Sequence, residues 1–199
     1  MSADHRPGRH PVFPDPPPRN LLALAGGAGS GKTTLAESVA AAHPRTALLQ
    51  LDHYVHTQPE RAPLVPSVLG TGEVIDFSDP RAIDWGRVLQ AISGAPAGKL
   101  LVVEGTFALE KQIRQLARWT VYLDTPDDLR LARKTLRRIG EGVDPRIGLL
   151  GYLAHGREGH HQHVAPMRQA AGLVLDGTLP TKHLTDQLIA HVANEAKGT

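Results

Sequence analysis

At 199 residues with 41% hydrophobic side chains, the chain has room for one ordinary α/β domain around an aliphatic core. A formal net charge of +2, from 22 basic against 20 acidic residues, argues against a dedicated polyanion binder, so no nucleic-acid partner is expected. The chain contains no cysteine, which removes disulfides, thiolate zinc sites and cysteine nucleophiles and leaves a cytoplasmic setting compatible, and its longest apolar runs, 21–25 and 100–103, are too short to span a membrane.

In chain order, residues 1–20 hold six prolines, two histidines and three arginines without apolar periodicity and without the apolar stretch of a secretory signal. They read as a flexible arm, or as a basic arm that touches a partner. From Leu21 onward short aliphatic runs alternate with helical patterns, as in a parallel sheet with crossover helices. Strands are predicted over 21–25, 46–51, 100–103, 120–123 and 172–175. Helices are predicted over 32–42, 84–93, 109–118, 126–139 and 182–196, with Asp84 and Thr125 as caps and Pro126 in a first turn. These elements make one domain over 21–199: a three-layer α/β sandwich with a five-stranded, mostly parallel sheet and a small lid at about 140–166.

The first strand runs into Gly26, Gly27, Ala28, Gly29, Ser30, Gly31, Lys32, Thr33 and Thr34, which satisfies the pattern of a glycine, four residues, then Gly-Lys-Ser/Thr. A strand precedes it and a helix follows, as the mechanism of a phosphate-binding loop requires: glycines let the backbone wrap the β-phosphate while amides and the helix N-terminus point at negative charge. Lys32 is placed to bridge β- and γ-phosphates, and the Thr33 hydroxyl to ligate Mg²⁺. The second strand is followed by Asp52, which in a parallel sheet opens onto the same crevice and can take the proton of an attacking hydroxyl; capping a turn is the alternative. The third strand ends in Glu104 and Gly105, and a carboxylate among aliphatics there calls for a partner such as a metal ion.

The helix after Asp124 reads DDLRLARKTLRRIG, with Arg130, Arg133 and Arg137 on one face at spacings of three and four. Arg133 and Arg137 are the candidates to neutralise charge on a transferring phosphoryl, ahead of Arg138 and Arg146, while a solvated face paired with Asp127 and Asp128 is the competing reading. Between 140 and 166 lie His155, His160, His161 and His163, which read as a polar, mobile lid or as a metal site.

Taken together, GGAGSGKTT, LDHY, FSDPRAID, VVEGTFAL, LDTPDDLRLARKTLRR and HVAPMRQAAGLVL resemble the uridine kinase family of P-loop kinases, the group that also includes relatives of phosphoribulokinase, pantothenate kinase and nicotinamide riboside kinase. The resemblance spans most of 21–191. It implies ATP and Mg²⁺ as cofactors, Asp52 as general base, Glu104 as a magnesium-side acid, Arg133 and Arg137 among the lid arginines, and a small hydroxyl-bearing substrate, with a homo-oligomer compatible. One departure stands out: in uridine kinases the stretch between the second helix and the third strand carries a β-hairpin that holds the nucleobase, and here only SGAPAGK, 93–99, fills it. The aspartate expected after Phe77 is replaced by Ser78, with Asp79 following. His53, Tyr54, Asp79 and Arg81 remain as polar candidates near the acceptor. A uridine or cytidine acceptor leads, with a vitamin-like or sugar-like alcohol next. A nucleotide-binding regulator or ATPase without acceptor, and a polynucleotide end kinase, are the further readings.

Overall fold

The computed structural model describes residues 20–197, with side chains through Asn194. The proline-rich arm expected over 1–20 lies outside the described residues except for Asn20. Five strands form one wholly parallel sheet in the order β2-β5-β1-β6-β7: β1 Leu21–Ala25, β2 Thr46–Gln50, β5 Leu100–Glu104, β6 Trp119–Asp124 and β7 Leu173–Asp176. Every residue of β1 and β5 is buried, which is why these strands read as continuous apolar runs rather than as alternation.

Alternate residues of β1 serve two cores. Leu21, Ala23 and Ala25 pack with Val88, Leu89 and Ile92 of α2 (Trp85–Ser93), with Ile113 of α3 (Lys111–Arg114), and with Met167. Leu22 and Leu24 face Leu35 and Val39 of α1 (Lys32–Ala42) and Leu184 and Leu188 of α7 (Thr181–Lys197). The three layers thus meet across β1, and the loop that follows β1 is held at the centre of the sheet's carboxyl edge. Helix α4 (Asp127–Gly140) leaves that same edge after β6 and has only one buried residue, Arg130.

Each predicted strand lies within one residue of its observed ends, and Asp84 caps α2, its carboxylate accepting from the Arg87 amide at 3.1 Å. Three expectations change. The helix predicted over 109–118 contracts to the single turn α3, because Phe107, Ala108 and Leu109 are buried as turn residues and this tertiary anchoring overrides the helical pattern. Thr125 does not cap α4; its hydroxyl donates to the Ser30 carbonyl at 3.2 Å and so ties the end of β6 to the loop after β1. A two-stranded antiparallel hairpin, β3 (Leu64–Pro66) with β4 (Glu73–Ile75), stands between β2 and α2, where no strand is predicted.

After α4 the chain is helical almost without a break. It runs from α5 (Pro145–Gly151) through a π turn at Tyr152–Gly156, the short α6 (Arg157–Gly159), a second π turn at His160–Val164 and a 3₁₀ stretch at Ala165–Ala170. This helical passage is docked on the segment beneath it. His155 Nε2 donates to the Pro66 carbonyl of the hairpin at 3.1 Å, and Gly159 sits so close to Ser78 that a Cβ there would collide with it. No helix among the described residues is long and apolar enough to cross a membrane.

Candidate active site

The loop between β1 and α1 owes its shape to glycine. Gly29 (φ +84°) and Gly31 (φ +99°) adopt left-handed conformations, and the Ser30 amide closes the turn onto the Gly27 carbonyl at 3.0 Å. A Cβ on Gly27 would strike the Arg130 guanidinium, and one on Gly29 the Arg130 carbonyl, so the loop and α4 fit only without side chains at those positions. Ala28 and Thr34 are exposed, whereas Ser30 is buried and its Oγ has no partner, a polar atom left for a ligand to satisfy. Lys32 opens α1 with 8% exposure, and its Nζ donates to the Gly27 carbonyl at 3.2 Å. Burial pushes the ammonium below the usual lysine range, while Glu104 and Asp52 pull it back up.

Both carboxylates come from the strands beside β1. Glu104 ends β5, paired in register with Leu24 of β1 and Gln50 of β2. It is 4% exposed and accepts the Thr33 hydroxyl at 2.9 Å. Burial pushes its carboxyl above the usual range; Lys32, Thr33 and a hydrogen bond from Gln50 act in the opposite sense. Asp52 lies in the 3₁₀ turn Leu51–Tyr54 that leaves β2, exposed, and within electrostatic reach of both Lys32 and Glu104. One ammonium, one hydroxyl and two carboxylates therefore converge where three strands end, an arrangement suited to holding phosphate and a hard cation beside a proton acceptor.

The basic helix divides its arginines among different tasks. Arg130 is 5% exposed and latches the loop: Nε donates to the Thr125 carbonyl at 3.2 Å, one Nη to Ala28 at 3.3 Å and the other to Asp127 Oδ1 at 2.7 Å. Arg133 donates to the Gly177 carbonyl at 3.1 Å and reaches Ser30 at 3.4 Å. Arg137 is 62% exposed, 3.7 Å from Glu141, yet near enough to Lys32 to be felt electrostatically. Arg138 shares Glu141, and Arg146 pairs with Asp144 in solvent. Lys134 is partly buried and pushed below the usual lysine range by that burial, then by Arg137, Arg138 and Arg130, with Asp52 opposing.

Of the acceptor-side candidates, His53 is exposed and Tyr54 is half-buried under the Arg87 guanidinium, 5.4 Å from its ring. Asp79 and Arg81 take each other: the buried carboxylate accepts the Arg81 amide at 2.8 Å and the guanidinium at 2.6–3.0 Å, closing the turn Pro80–Ala82. The four histidines are dispersed: His155 meets the hairpin, His163 acts on Asp79, and His160 faces Asp127 at 3.9 Å with His161 edge-on at 5.8 Å. Among the described residues, no group of three or more histidine and acidic side chains is arranged to hold a metal ion.

Burial, then Arg130, holds His160 down at about 4. A histidine depressed in the folded state contributes stability that is present above the ordinary value of 6.5 and lost as pH falls toward about 4. Thermal unfolding followed across that window is expected to show a shallower acid-side fall in His160→Gln than in the wild type.

Spacing and composition assigned none of Arg130, Lys134, Gln50, Thr125 and His160 the place each takes in this site. Arg130 stands three residues after Asp127, a helical pair spacing that marks contact, but its turn inward over the loop depends on the angle at which α4 crosses.

A cleft of about 340 Å³ lies at the opposite edge, where Leu100 and Trp119 begin their strands beside Val39 and Leu188; no carboxylate lines it. The chemistry gathers at the carboxyl edge, in accord with open α/β sheets generally. A glycine-rich loop carrying a buried lysine, at the carboxyl end of the central strand of a parallel sheet, defines the P-loop NTPase class. No family model matches the chain. It is 28% identical over 196 residues to the uridine kinase of Deinococcus deserti, covering 86% of this chain and 94% of that one, and 26% identical over 186 residues to the uridine kinase of Lactiplantibacillus plantarum, covering 78% and 85%. Its fold is similar to that of a gluconokinase from Sinorhizobium meliloti, with a TM-score of 0.58 over 91% of this chain and 95% of that one at 16% identity. These relatives and the shared fold support a uridine kinase-like P-loop kinase family and, more coarsely, a small-molecule kinase.

Proposed function

We propose that the protein transfers the γ-phosphoryl group of Mg-ATP to a hydroxyl of a small molecule, in the manner of a uridine or cytidine kinase. The observation that carries this reading is the convergence of Lys32, Thr33, Glu104 and Asp52 at the ends of three adjacent strands. The loop 26–34 would cradle the phosphates, with Lys32 and the Ser30 hydroxyl as donors. The residues suit Mg²⁺: Thr33 and Glu104 offer two hard oxygens already in contact, beside a carboxylate whose burial calls for a cation. When bound, the ion would offset charge on the phosphoryl oxygens.

Asp52 is then the base. It accepts the acceptor's hydroxyl proton as the oxygen attacks phosphorus, and the phosphorus–oxygen bond to ADP breaks on the opposite side. Arg133, held by Ser30 and Gly177, and Arg137, free to swing from Glu141, supply positive charge to the transferring group. The passage 140–166 acts as a lid that excludes water, and the cytoplasm, where Mg-ATP is abundant, is the compartment this chemistry suits.

A second reading differs only in the acceptor. Between α2 and β5 the chain makes just the turn 94–99, whereas β3–β4 stands earlier and is clasped by His155. This favours a sugar-like or vitamin-like alcohol over a nucleoside held by a hairpin in that position. ATP consumption across nucleosides, nicotinamide riboside, pantothenate and simple sugars tests both. Stimulation by uridine or cytidine is expected; stimulation by a sugar or vitamin alone selects the second reading, and turnover indifferent to every compound overturns the kinase assignment.

A further inference from the structure

We propose that His160 is a phosphate-facing residue of the nucleotide site, donating as an imidazolium to a polyphosphate that lies against Lys32. The inference rests on the kinase reading above. His160 opens the second π turn of the helical passage after α4, and its ring faces Asp127 in the first turn of α4. Its side chain is 13% exposed, and Nε2 lies 3.9 Å from Asp127 Oδ1. That oxygen is already held at 2.7 Å by Arg130, the residue that latches Ala28 of the loop. The imidazole therefore stands next in line to the loop's own latch.

The charges around it explain both states. From α4 it faces Arg130, which repels a proton, and Asp127, which attracts one but is shared with Arg130; from the loop side it faces Lys32, and from its own turn His161, both repelling. With burial added, the free ring stays unprotonated until about pH 4. A bound polyphosphate reverses the sign of this field, because it neutralises Lys32 and Arg130 and adds negative charge of its own. One full negative charge about 5 Å away, at an effective dielectric of about 20, moves an imidazole by about two pH units. Two such charges carry His160 through neutrality, and the proton it gains makes a charge-assisted hydrogen bond to phosphate available from the lid. The other lid histidines differ: His155 is engaged by the hairpin, His163 acts on Asp79, and His161, edge-on to His160, is exposed to solvent.

Calorimetry tests this with the non-hydrolysable imido analogue of ATP and Mg²⁺ at neutral pH, in buffers of different ionisation enthalpy. Wild type is expected to take up about half to one proton more per binding event than His160→Gln. Other groups, Lys32 included, contribute equally to both proteins, so only the difference is read. In the wild type itself, the His160 ring resonance is expected to titrate in the acid range without nucleotide and above neutrality with it, a measurement independent of how well the variant folds. Binding with equal uptake, or a resonance that does not move, overturns the assignment and leaves the kinase reading intact. Failure of wild type to bind the analogue at all overturns both.

Discussion

Asp52→Asn is expected to lower acceptor-dependent turnover by about 10²- to 10⁴-fold, the usual contribution of a positioned general base, while nucleotide affinity changes little. Asparagine keeps the size and the polarity of the turn Leu51–Tyr54, so the strand end and the buried Leu51 beneath Gly105 stay as they are. Only the capacity to accept a proton is removed. Asp52 makes no ion pair among the described residues and is exposed at the mouth of the site, where an acceptor hydroxyl can reach it. The effect should fall on kcat rather than on the KM for ATP, because the phosphates are held by the loop and Lys32. Equal turnover in the two proteins, measured with a stimulating acceptor, would falsify the assignment of Asp52 as base.

Arg130→Ala is expected to lower the unfolding midpoint by about 6–15 °C. This guanidinium donates three charge-assisted hydrogen bonds, two to loop and strand-end carbonyls and one to Asp127. Bonds to charged groups contribute about 1.5–3 kcal/mol each when lost singly, but Asp127 is half exposed and recovers water, so a total of about 3–4 kcal/mol is reasonable. For a domain of this size each kcal/mol corresponds to about 2–4 °C. The substitution also empties the space against Gly27, freeing the loop to leave its phosphate-binding shape, so nucleotide affinity should fall with stability. Arg130→Lys should recover only a part, since an ammonium cannot present a planar fork to three acceptors in different directions. A midpoint within about 2 °C of wild type would show that the latch is dispensable.

The basic run on α4 illustrates how far residue spacing reaches. Spacing put Arg130, Arg133 and Arg137 on one face, and of these Arg130 and Arg133 reach the loop while Arg137 stands exposed beside Glu141. It did not separate a buried latch from an exposed, loosely paired arginine, because that difference depends on depth, and depth is set by how α4 rests against the loop. Asp79 and Arg81 make the same point on a smaller scale: both looked available for a ligand, and their turn brings them onto each other.

Local chemistry by itself determined the parallel sheet, the glycine-rich loop opening α1, and the carboxylates at two strand ends. Each follows from short-range causes: unbroken apolar runs demand burial on both faces, only glycine tolerates the left-handed turns, and a residue that ends a strand or directly follows it must sit at the sheet's edge. Tertiary structure alone decided the Thr125 tether, the placement of β3–β4, the docking of the histidine-bearing passage and the company His160 keeps. These depend on pairs of residues as far apart in the chain as Ser30 and Thr125 or Pro66 and His155, whose contact arises only when separate helices and loops are packed on one sheet, and no periodicity within either segment encodes it.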